Sequence, residues 1–429
     1  VNQTDFEKIA VDQQTHCRDA LPPAVPRLDL AHRIRNFLLK PLDVSHHLWE
    51  VEIATGGKIG SSGAISQTKS EVAKSVSSDP RSQNHVESII LLRGHHALAD
   101  GVSLGVGLTD MLDEAPMLRD QIRELVRKHR KRSKSLFKHL YRLLRRFVWF
   151  LLGSVRVMMH QMYLLWITPV NPFELLLNEE ERKIVGRTVS WCDAAPLEQI
   201  KTVARACGER VTVNDVMVSC VAYAIQEQLR EHQRRRISEG IKNVPEIRGI
   251  NVIIPVHLAG GVLPPGKSLS NLIGALCCRV PTLVKPKLQD SIVPATERLS
   301  SVHKSLVAEK GTPAAYVSYT MAHIGANYLP VSWTKSLFRR ANANATVAVS
   351  NVRGPEDKLH LDGRTIESIS GFFPLPPGIP VGVVAHSYAG VVSLTVTAEE
   401  WAVPDADKFM TWMLEEYQRL VEETTTKKI

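Results

Sequence analysis

The chain has 429 residues, of which 44% are hydrophobic and 23% charged, and these globular proportions exclude wholesale disorder. The length predicts two domains, or one large domain built from two halves. The formal net charge of +9 favours anionic partners, namely nucleic acid, a phospholipid surface or a phosphorylated cofactor, and composition alone does not choose among them.

Cysteine spacing and the start of the chain set two further expectations. The six cysteines contain no CxxC pair, so we expect no zinc site of ordinary spacing and instead reduced, buried thiols in a cytosol-facing protein. Val1 is followed by polar residues, without the basic and apolar segments of a signal peptide. The missing initiator Met indicates a trimmed or fragmentary start.

The first predicted elements are a short helix and a hairpin. Apolar and basic residues alternate over 28–39 and predict a helix, and the period-two pattern of 49–53 predicts a strand. Residues 56–84 are rich in Ser and Gly, which is typical of a flexible surface loop. A β-rich run over 86–92 predicts the second strand of the hairpin, and helical spacing follows over 100–113.

A basic stretch at 119–146 runs into an apolar stretch at 147–170. The apolar stretch approaches the ~20 residues that span a bilayer, but Arg156 near its middle is costly in a lipid-exposed span. Leucines from Leu136 to Leu144 form a stripe beside cationic residues, the pattern of an interfacial helix on anionic lipid. We favour a monotopic or shallowly inserted hairpin over a true span. A buried core helix with a charged outer face is the main alternative, and a nucleic-acid-binding arm is a weaker one.

The second half of the chain has an α/β pattern. Strands are predicted at 188–191, 248–255, 273–280, 346–351, 381–386 and 391–397. Helices are predicted at 196–207, 213–235, 294–310 and 404–423. This alternation of strands and helices is typical of an α/β protein.

The motif with the clearest chemistry is Arg93-Gly-His95-His96-Ala-Leu-Ala-Asp100-Gly101, where a strand ends in two histidines and a helix begins after Asp-Gly. Strand ends and helix starts hold catalytic side chains rigidly, and histidine exchanges protons near neutral pH. Two other interpretations compete with a catalytic role. The histidines could be metal ligands or structural groups, and Asp100 could be only a helix cap. Consecutive residues at a strand end point to opposite faces, which argues against one metal ion bound by both histidines.

The sequence from His95 to Gly101 resembles the HHxxxDG signature of the CoA-dependent acyltransferases related to chloramphenicol acetyltransferase, and the whole chain resembles their wax ester synthase/diacylglycerol acyltransferase branch. Further segments match that branch in the correct order: PLDVSHHLWE at 41–50, TVNDV at 212–216, NLIG at 271–274, SNVRGP at 350–355 and HSYAG at 386–390. In the first of these, His46-His47 replaces the usual Arg-Pro. The loop at 56–84 is longer than a family hairpin loop, and the family's N-terminal portion is largely missing before Pro26.

The resemblance implies a two-half, chloramphenicol acetyltransferase-like α/β fold with mixed sheets and flanking helices. The expected half-domains are 1–185, which contains HHxxxDG, the loop 56–84 and the membrane-associating segment 119–170, and 186–429, which contains the ND, NxxG and SNVxGP segments.

The resemblance also implies that His96 is the general base. His95 is expected to support the loop, Asp100 to brace it, and Gly101 to allow a tight turn before the helix. We find no Ser or Cys in the setting of an activated nucleophile, so a covalent acyl-enzyme is not expected.

Other motif residues carry secondary expectations. Asn214 either orients the reacting carbonyl or caps a helix, with equal weight given to both, and Asp215 is expected to be structural. Trp49 is expected to pack, and Asn351 and Gly354 to shape a turn. Asn271 and Gly274 belong to the NxxG strand entry.

The function implied is fatty acyl transfer from acyl-CoA, as a co-substrate with no bound cofactor or metal, to a long-chain alcohol, diacylglycerol or both. The partners expected are these substrates and a membrane or lipid-droplet surface, without nucleic acid, at the cytosolic side of the endoplasmic reticulum or on lipid droplets. Three alternatives stay open: a CoA-dependent acyltransferase of small molecules, a catalytically inactive lipid-surface scaffold and, less favoured, a metal-dependent hydrolase.

Overall fold

The computed structural model describes residues 27–40, 48–55, 88–96, 98–130, 147–160, 171–258, 271–284 and 293–426. Two compact units are present: Val1–Ser103 with Gly266–Asn271, and Leu104–Pro265 with Leu272–Ile429. The predicted loop at 56–84 lies outside the described residues. The expected division into half-domains at 185/186 stays a prediction.

The first unit contains the predicted helix and hairpin. Helix α1 spans Arg27–Leu39, and strands β1 (Trp49–Thr55) and β2 (Ser88–Gly94) pair antiparallel. Trp49 lies opposite Gly94 in the register, so the strand that enters the motif is anchored along its full length. Both predictions are confirmed here.

Helices follow the hairpin in a series that covers much of the chain. They are α2 (Gly101–Thr109), α3 (Ala115–Arg130), α4 (147–160), α5 (Pro172–Leu176), α6 (Leu197–Cys207), α7 (Val213–Ser238), α8 (Ala295–Lys310), α9 (Ala314–Tyr328), α10 (Val331–Asn342) and α11 (Ala406–Thr426). The predicted helices at 100–113, 196–207, 213–235, 294–310 and 404–423 correspond to α2, α6, α7, α8 and α11. A 3₁₀ turn lies at Glu181–Lys183.

The second unit is built on a six-stranded mixed sheet. Its strands are β3 (Arg187–Pro196), β4 (Ile247–His257), β5 (Ile273–Val284), β6 (Val347–Arg353), β9 (Val381–Tyr388) and β10 (Val391–Glu399), in the order β3-β10-β9-β6-β4-β5. Strand β6 pairs parallel with β9 and with β4, and the other neighbours are antiparallel. A small hairpin, β7 (His360–Leu361) and β8 (Arg364–Thr365), lies apart from this sheet.

Helix α7 is the centre of the core in the second unit. Its residues are buried almost without interruption from Asp215 to Leu229, because other helices and the sheet surround it. Helices α6, α8 and α11 pack against it and against the sheet. Large side chains such as Phe173, Leu299 and Phe409 are fully buried in this layer.

Helices α9 and α10 were not predicted from the sequence. They occupy the connection between α8 and β6, and α9 packs against β5. Helix α4 confirms helical structure for the first part of the apolar stretch, whose remainder at 161–170 lies outside the described residues. No helix in the described part of the chain has the length and apolarity needed to cross a bilayer.

Candidate functional site

The two histidines lie in a turn that immediately follows β2. The backbone N–H of His95 donates to the carbonyl oxygen of Leu48 at 2.7 Å, and the N–H of Leu98 donates to that of His95 at 2.9 Å. Both imidazole side chains are exposed. The hairpin therefore fixes the backbone of the motif while the rings remain accessible to solvent.

Arg93 ties the end of β2 to α1. Its side chain is 10% exposed, and its Nε donates to Oε2 of Glu50 across the hairpin at 3.1 Å. The same guanidinium donates to the carbonyl oxygens of Phe37 and Lys40 and lies 4.8 Å from the centre of the Phe37 ring. Burial alone raises the pKa of Glu50, but hydrogen bonds and charge from Arg93 and Lys40 bring that pKa below its ordinary value. This contact set holds the strand end from which the histidines emerge.

Asp100 is the N-cap of α2, as predicted. Its Oδ1 accepts the backbone N–H of Ser103 at 2.8 Å, and both residues are fully buried. Gly101 does not adopt a left-handed φ, and a Cβ there would meet no atom of the described residues within 4 Å. Neither observation calls for a glycine at this position, so the expectation that Gly101 allows a tight turn stays a prediction.

Asn271 contacts the histidine motif directly. Its Nδ2 donates to the carbonyl oxygen of His96 at 2.7 Å. Three residues later, in the second unit, Gly274 lies against the start of α9, where a Cβ would be 1.8 Å from the carbonyl oxygen of Ala315. The two named residues of NxxG thus have separate roles. The amide of Asn271 holds the backbone of the histidine motif, and the missing side chain of Gly274 permits close packing of α9 on β5.

Asp215 is a fully buried structural carboxylate at the start of α7. Its Oδ2 accepts the backbone N–H of Thr212, the N-cap residue, at 2.8 Å, and contacts Nδ1 of His303 at 3.0 Å. Its Oδ1 accepts from Nζ of Lys310 at 3.1 Å. Burial raises the pKa of Asp215, but the Thr212 hydrogen bond, the Lys310 charge and the His303 contact outweigh it, so the pKa is below its usual value.

Asn214 is not the helix cap, because Thr212 occupies that position and Asn214 lies inside the first turn of α7. The N-cap alternative for Asn214 is therefore wrong. Its amide Oδ1 is buried and has no hydrogen-bond partner within the described residues. A buried amide oxygen without a partner costs folding free energy, so this oxygen is available to accept a hydrogen bond from a bound water or ligand.

His303 and Lys310 were not singled out from the sequence. They are seven residues apart on α8, two turns of the helix, so both lie on the face that meets Asp215. A cavity of about 380 Å³ opens beside His303 and is lined by the loop 207–211 and by residues of α8. Neither Asn214 nor Asn351 lines it.

The SNVxGP segment forms the end of β6. Asn351 is exposed and lies opposite Ala385 of β9 in the parallel register. The N–H of Gly354 donates to the carbonyl oxygen of Ser387 at 2.8 Å, and a Cβ on Gly354 would be 2.4 Å from that oxygen. Gly354 therefore shapes the chain here, as expected, because only glycine allows this approach.

The HSYAG segment is the β9–β10 hairpin. Its two turn residues, Ala389 and Gly390, have φ values of 48° and 77°, the left-handed pair that a two-residue hairpin needs. His386, which precedes the turn, lies beside Gly354 with its Nδ1 buried and without a partner in the described chain. Burial lowers the pKa of His386. Sequence reasoning gave this histidine no role of its own.

Trp49 is half-buried in the hairpin, in keeping with the packing role expected of it. Among the described residues, no three His, Cys, Asp or Glu side chains are placed to hold a metal ion. The five cysteines that the structure describes are free thiols, and Cys220 and Cys278 are buried.

Comparison with known proteins gives a consistent set of relatives. The profile of the WS/DGAT C-terminal domain matches residues 269–421. Wax ester synthase/diacylglycerol acyltransferase 8 of Arabidopsis thaliana is 25% identical over 408 residues, which cover 87% of this chain and 74% of that protein. Probable diacyglycerol O-acyltransferase Tgs4 of Mycobacterium tuberculosis is 24% identical over 236 residues, or 54% of this chain and 44% of that protein.

Two solved structures share the fold. The wax ester synthase/diacylglycerol acyltransferase of Marinobacter aquaeolei VT8 matches with a TM-score of 0.55 and 16% identity, over 96% of this chain and 81% of that one. The TRI3 trichothecene 15-O-acetyltransferase of Fusarium sporotrichioides matches with a TM-score of 0.54 and 9% identity, over 97% and 78% of the two chains. The expected mixed α/β acyltransferase fold is confirmed. With the matched domain profile over residues 269–421 and the sequence relatives, these observations confirm the resemblance of the chain to the wax ester synthase/diacylglycerol acyltransferases.

Proposed function

We propose that the protein transfers a fatty acyl group from acyl-CoA to the hydroxyl of a long-chain alcohol, of diacylglycerol, or of both. The names of its relatives support these substrates. The net charge of +9 suits the phosphates of coenzyme A. The observation that carries the proposal is an exposed histidine pair held by backbone hydrogen bonds at the end of a strand.

In the proposed reaction, the imidazole of His96 takes the proton of the acceptor hydroxyl while the hydroxyl oxygen attacks the thioester carbonyl carbon. The tetrahedral intermediate then collapses, the carbon–sulfur bond breaks, and the departing thiolate takes the proton from the imidazolium. The products are an ester and free coenzyme A. A base positioned in this way contributes about 10²–10⁴-fold to the rate.

The supporting geometry is a rigid backbone beneath an accessible ring. Asn271 holds the carbonyl of His96, and Leu48 accepts the N–H of His95, so the position of the turn does not depend on the imidazole groups. Asp100 caps α2 with its carboxylate, which supports a bracing role. Because both rings are exposed, the choice of His96 over His95 rests on the family resemblance.

For Asn214 we propose the orientation of a substrate carbonyl or hydroxyl. Its buried, unpartnered Oδ1 supports this role, as does the rigid first turn of α7 that Asp215 holds. An amide group offers both a donor and an acceptor, so it suits either oxygen of the reacting pair.

The reaction is also proposed to take place at a lipid surface, on the endoplasmic reticulum or a lipid droplet. Long-chain alcohols and diacylglycerol are insoluble in water, so an enzyme that acts on them benefits from contact with lipid. The exposed apolar side chains of α4 support this location. These include Phe147, Leu151, Leu152 and Met159. The basic residues at 131–146 that suggested the same location lie outside the described part of the chain.

The test is His96→Ala, assayed with labelled palmitoyl-CoA against a long-chain alcohol and against diacylglycerol. We expect ester formation to fall by about 10²–10⁴-fold with an unchanged melting temperature. His32→Ala, at an exposed histidine of α1, is the matched control and should retain activity. Full activity of the His96 variant, or activity that a chelator abolishes, contradicts the proposal.

A further inference from the structure

The segment between Lys310 and Lys335 has an unusual composition for a protein surface. Its 24 residues, 311–334, contain no Asp, Glu, Lys or Arg, whereas the chain average of 23% would give about five. The segment forms α9 and the start of α10. Helices that face water ordinarily carry charged residues on the outer face, so the surroundings of these two helices need an explanation.

Helix α10 has no buried residue along its length. Its large apolar side chains are exposed instead: Val331 is 69% exposed, Trp333 67%, Leu337 52% and Phe338 45%. The hydroxyl of Thr334 donates to the carbonyl oxygen of Gly325 at 2.7 Å, so small residues make this contact with α9. The large side chains are thus left without a described partner for their apolar surface.

Helix α9 has an attached face and an apolar outer face. The hydroxyl of Ser318 accepts the backbone N–H of Ala275 on β5 at 2.7 Å, and Ala315 packs on Gly274. The outer face exposes apolar and aromatic side chains, namely Tyr316, Met321, Ile324 and Tyr328. One side of α9 therefore belongs to the fold, while the other continues the surface of α10.

Helix α4 extends this surface across the start of α9. The indole N–H of Trp149 donates to the carbonyl oxygen of Gly311 at 3.0 Å. Gly153 lies so close to Pro313 that a Cβ would be 2.4 Å from the proline Cδ. The exposed apolar residues of α4 therefore adjoin those of α9. Monomeric soluble proteins rarely expose large contiguous apolar surfaces, so exposed apolar residues on three adjoining helices indicate a surface with a partner.

The charged residues within α4, α9 and α10 are all cationic. About 3.6 residues form a helical turn, so Lys335 and Arg340 lie at the two borders of the apolar side of α10. The chain has no carboxylate side chain between Glu309 and Glu356, and none between Glu124 and Glu174. A second copy of the chain would bring like charges together here, whereas an anionic lipid surface is complementary to them.

From these observations we infer that α4, α9 and α10 form a docking surface for an anionic phospholipid surface, with apolar side chains entering the headgroup region and Lys335 and Arg340 beside the lipid phosphates. Apolar side chains beside cations are the pattern of a helix that lies in the interfacial region of a bilayer. The choice of lipid as the partner rests on the proposed function, but the surface itself is independent of the chemistry at His96.

The experiment is flotation of the full chain with vesicles of phosphatidylcholine, with and without about 30% phosphatidylserine. Trp333→Glu with Leu337→Glu should abolish flotation with both kinds of vesicle. Lys335→Glu with Arg340→Glu should weaken binding to the anionic vesicles by about thirtyfold or more and leave binding to neutral vesicles little changed.

Matched controls use exposed positions elsewhere in the second unit: Val185, which is 96% exposed, as Val185→Glu, and Arg353→Glu. Both should float like the unmodified chain, and all variants should keep its melting temperature. Flotation of the Trp333/Leu337 variant at the unmodified level overturns the inference. So does light scattering that shows a lipid-free dimer which the same variant dissociates, since a second copy would then be the partner.

A soluble assay separates this inference from the proposed function. With a short-chain acyl-CoA and a water-soluble alcohol, the docking variants should turn over at the unmodified rate, because the site does not include them. Loss of flotation with retained turnover supports the docking surface. Normal flotation by a protein inactive on every acceptor would overturn the proposed function alone.

Discussion

At the scale of single residues, the Asp100 carboxylate is bound to the backbone of its own helix. It is fully buried and accepts the N–H of Ser103, which makes it an N-cap. Replacing an N-cap residue with Ala costs about 0.5–2 kcal/mol, while Asn caps nearly as well as Asp. A carboxylate that relays protons, in contrast, is not replaceable by an amide.

The first prediction uses that difference. Asp100→Ala should lower the free energy of unfolding by about 0.5–2 kcal/mol and reduce acyl transfer, because the histidine turn loses its support. Asp100→Asn should lose less stability and less activity than Asp100→Ala, since the amide oxygen of Asn still accepts the backbone N–H of Ser103. Denaturant unfolding and ester formation are measured on both variants. A stable Asn variant with activity as low as that of His96→Ala would identify Asp100 as a proton-relay group instead.

The second prediction concerns pH and Asp215. Its pKa in the folded chain lies below the ordinary value, so the ionised form stabilises the fold. That contribution is complete above the unfolded value of about 3.9 and is lost as the pH falls through the lowered folded value. Asp215→Asn should therefore be less stable than the unmodified chain at pH 7, by about 1–3 kcal/mol.

The difference between the two proteins should shrink below about pH 4, where the unmodified chain loses the same interaction. Thermal unfolding followed by circular dichroism from pH 7 down to pH 3 measures it. Val185→Asn, at an exposed position of the same unit without an ionisable group, is a control that should follow the unmodified chain at every pH. A stability gap at Asp215 that is independent of pH would mean that steric fit, and not charge, is the source of the stabilisation.

At the scale of elements, the contact between α9 and β5 depends on a missing side chain. A Cβ at Gly274 would be 1.8 Å from the carbonyl oxygen of Ala315, a backbone atom that has no freedom to rotate away. Gly274→Ala should therefore destabilise the fold by about 3 kcal/mol or more and displace α9. Gly105→Ala is the matched control, because a Cβ there meets no described atom and Ala favours the helix interior of α2.

Unfolding in denaturant and hydrogen exchange in 314–328 measure both variants. The Gly105 variant should be as stable as the unmodified chain or slightly more so. If Gly274→Ala left exchange in α9 unchanged, the close packing of that helix on β5 would be wrong.

Elements were predictable where their apolar pattern faces a core. Helices α6 and α8 bury one stripe of apolar residues, and β9 and β10 are rich in Val and buried along nearly their full length. Spacing, composition and flanking prolines therefore defined these elements. Helix α9 lacked that signal, because its outer face is as apolar as a core face. Helix α10 does have an apolar side and a cationic side, but its apolar side faces no core and the sequence reasoning did not single it out. Periodicity has no contrast to detect when solvent-facing residues are uncharged.

At the scale of the whole molecule, the candidate site combines near and distant parts of the sequence. The histidines, Asp100 and the helix start were predictable because they lie within seven residues. The amide of Asn271 reaches the carbonyl of His96 from 175 residues away, and no local pattern gives that contact. The same holds for Lys310 and Asp215, which are 95 residues apart. Only the resemblance to the family segments NLIG and TVNDV indicated that Asn271 and Asp215 have a role in the site.

Net charge is a property of the whole chain, and it gives the last prediction. A protein of charge +9 attracts a multiply anionic thioester over distances comparable to the Debye length, which is about 10 Å at 0.1 M salt and shorter at higher salt. For a short-chain acyl-CoA in solution, KM should rise several-fold between about 0.1 M and about 0.5 M NaCl. The value of kcat should change less, because the bond-making step is screened from bulk ions once the substrate is bound.

The uncharged acceptor alcohol provides an internal control, since its KM should not respond to salt. Sucrose at matched osmolality should leave both constants unchanged, which separates charge screening from general effects of solute. If the KM for acyl-CoA does not change over this range of salt concentration, the net positive charge of the protein does not contribute to acyl-CoA binding. In that case the positive charge would serve the lipid surface alone, and vesicle binding should weaken with salt while turnover of soluble substrates does not.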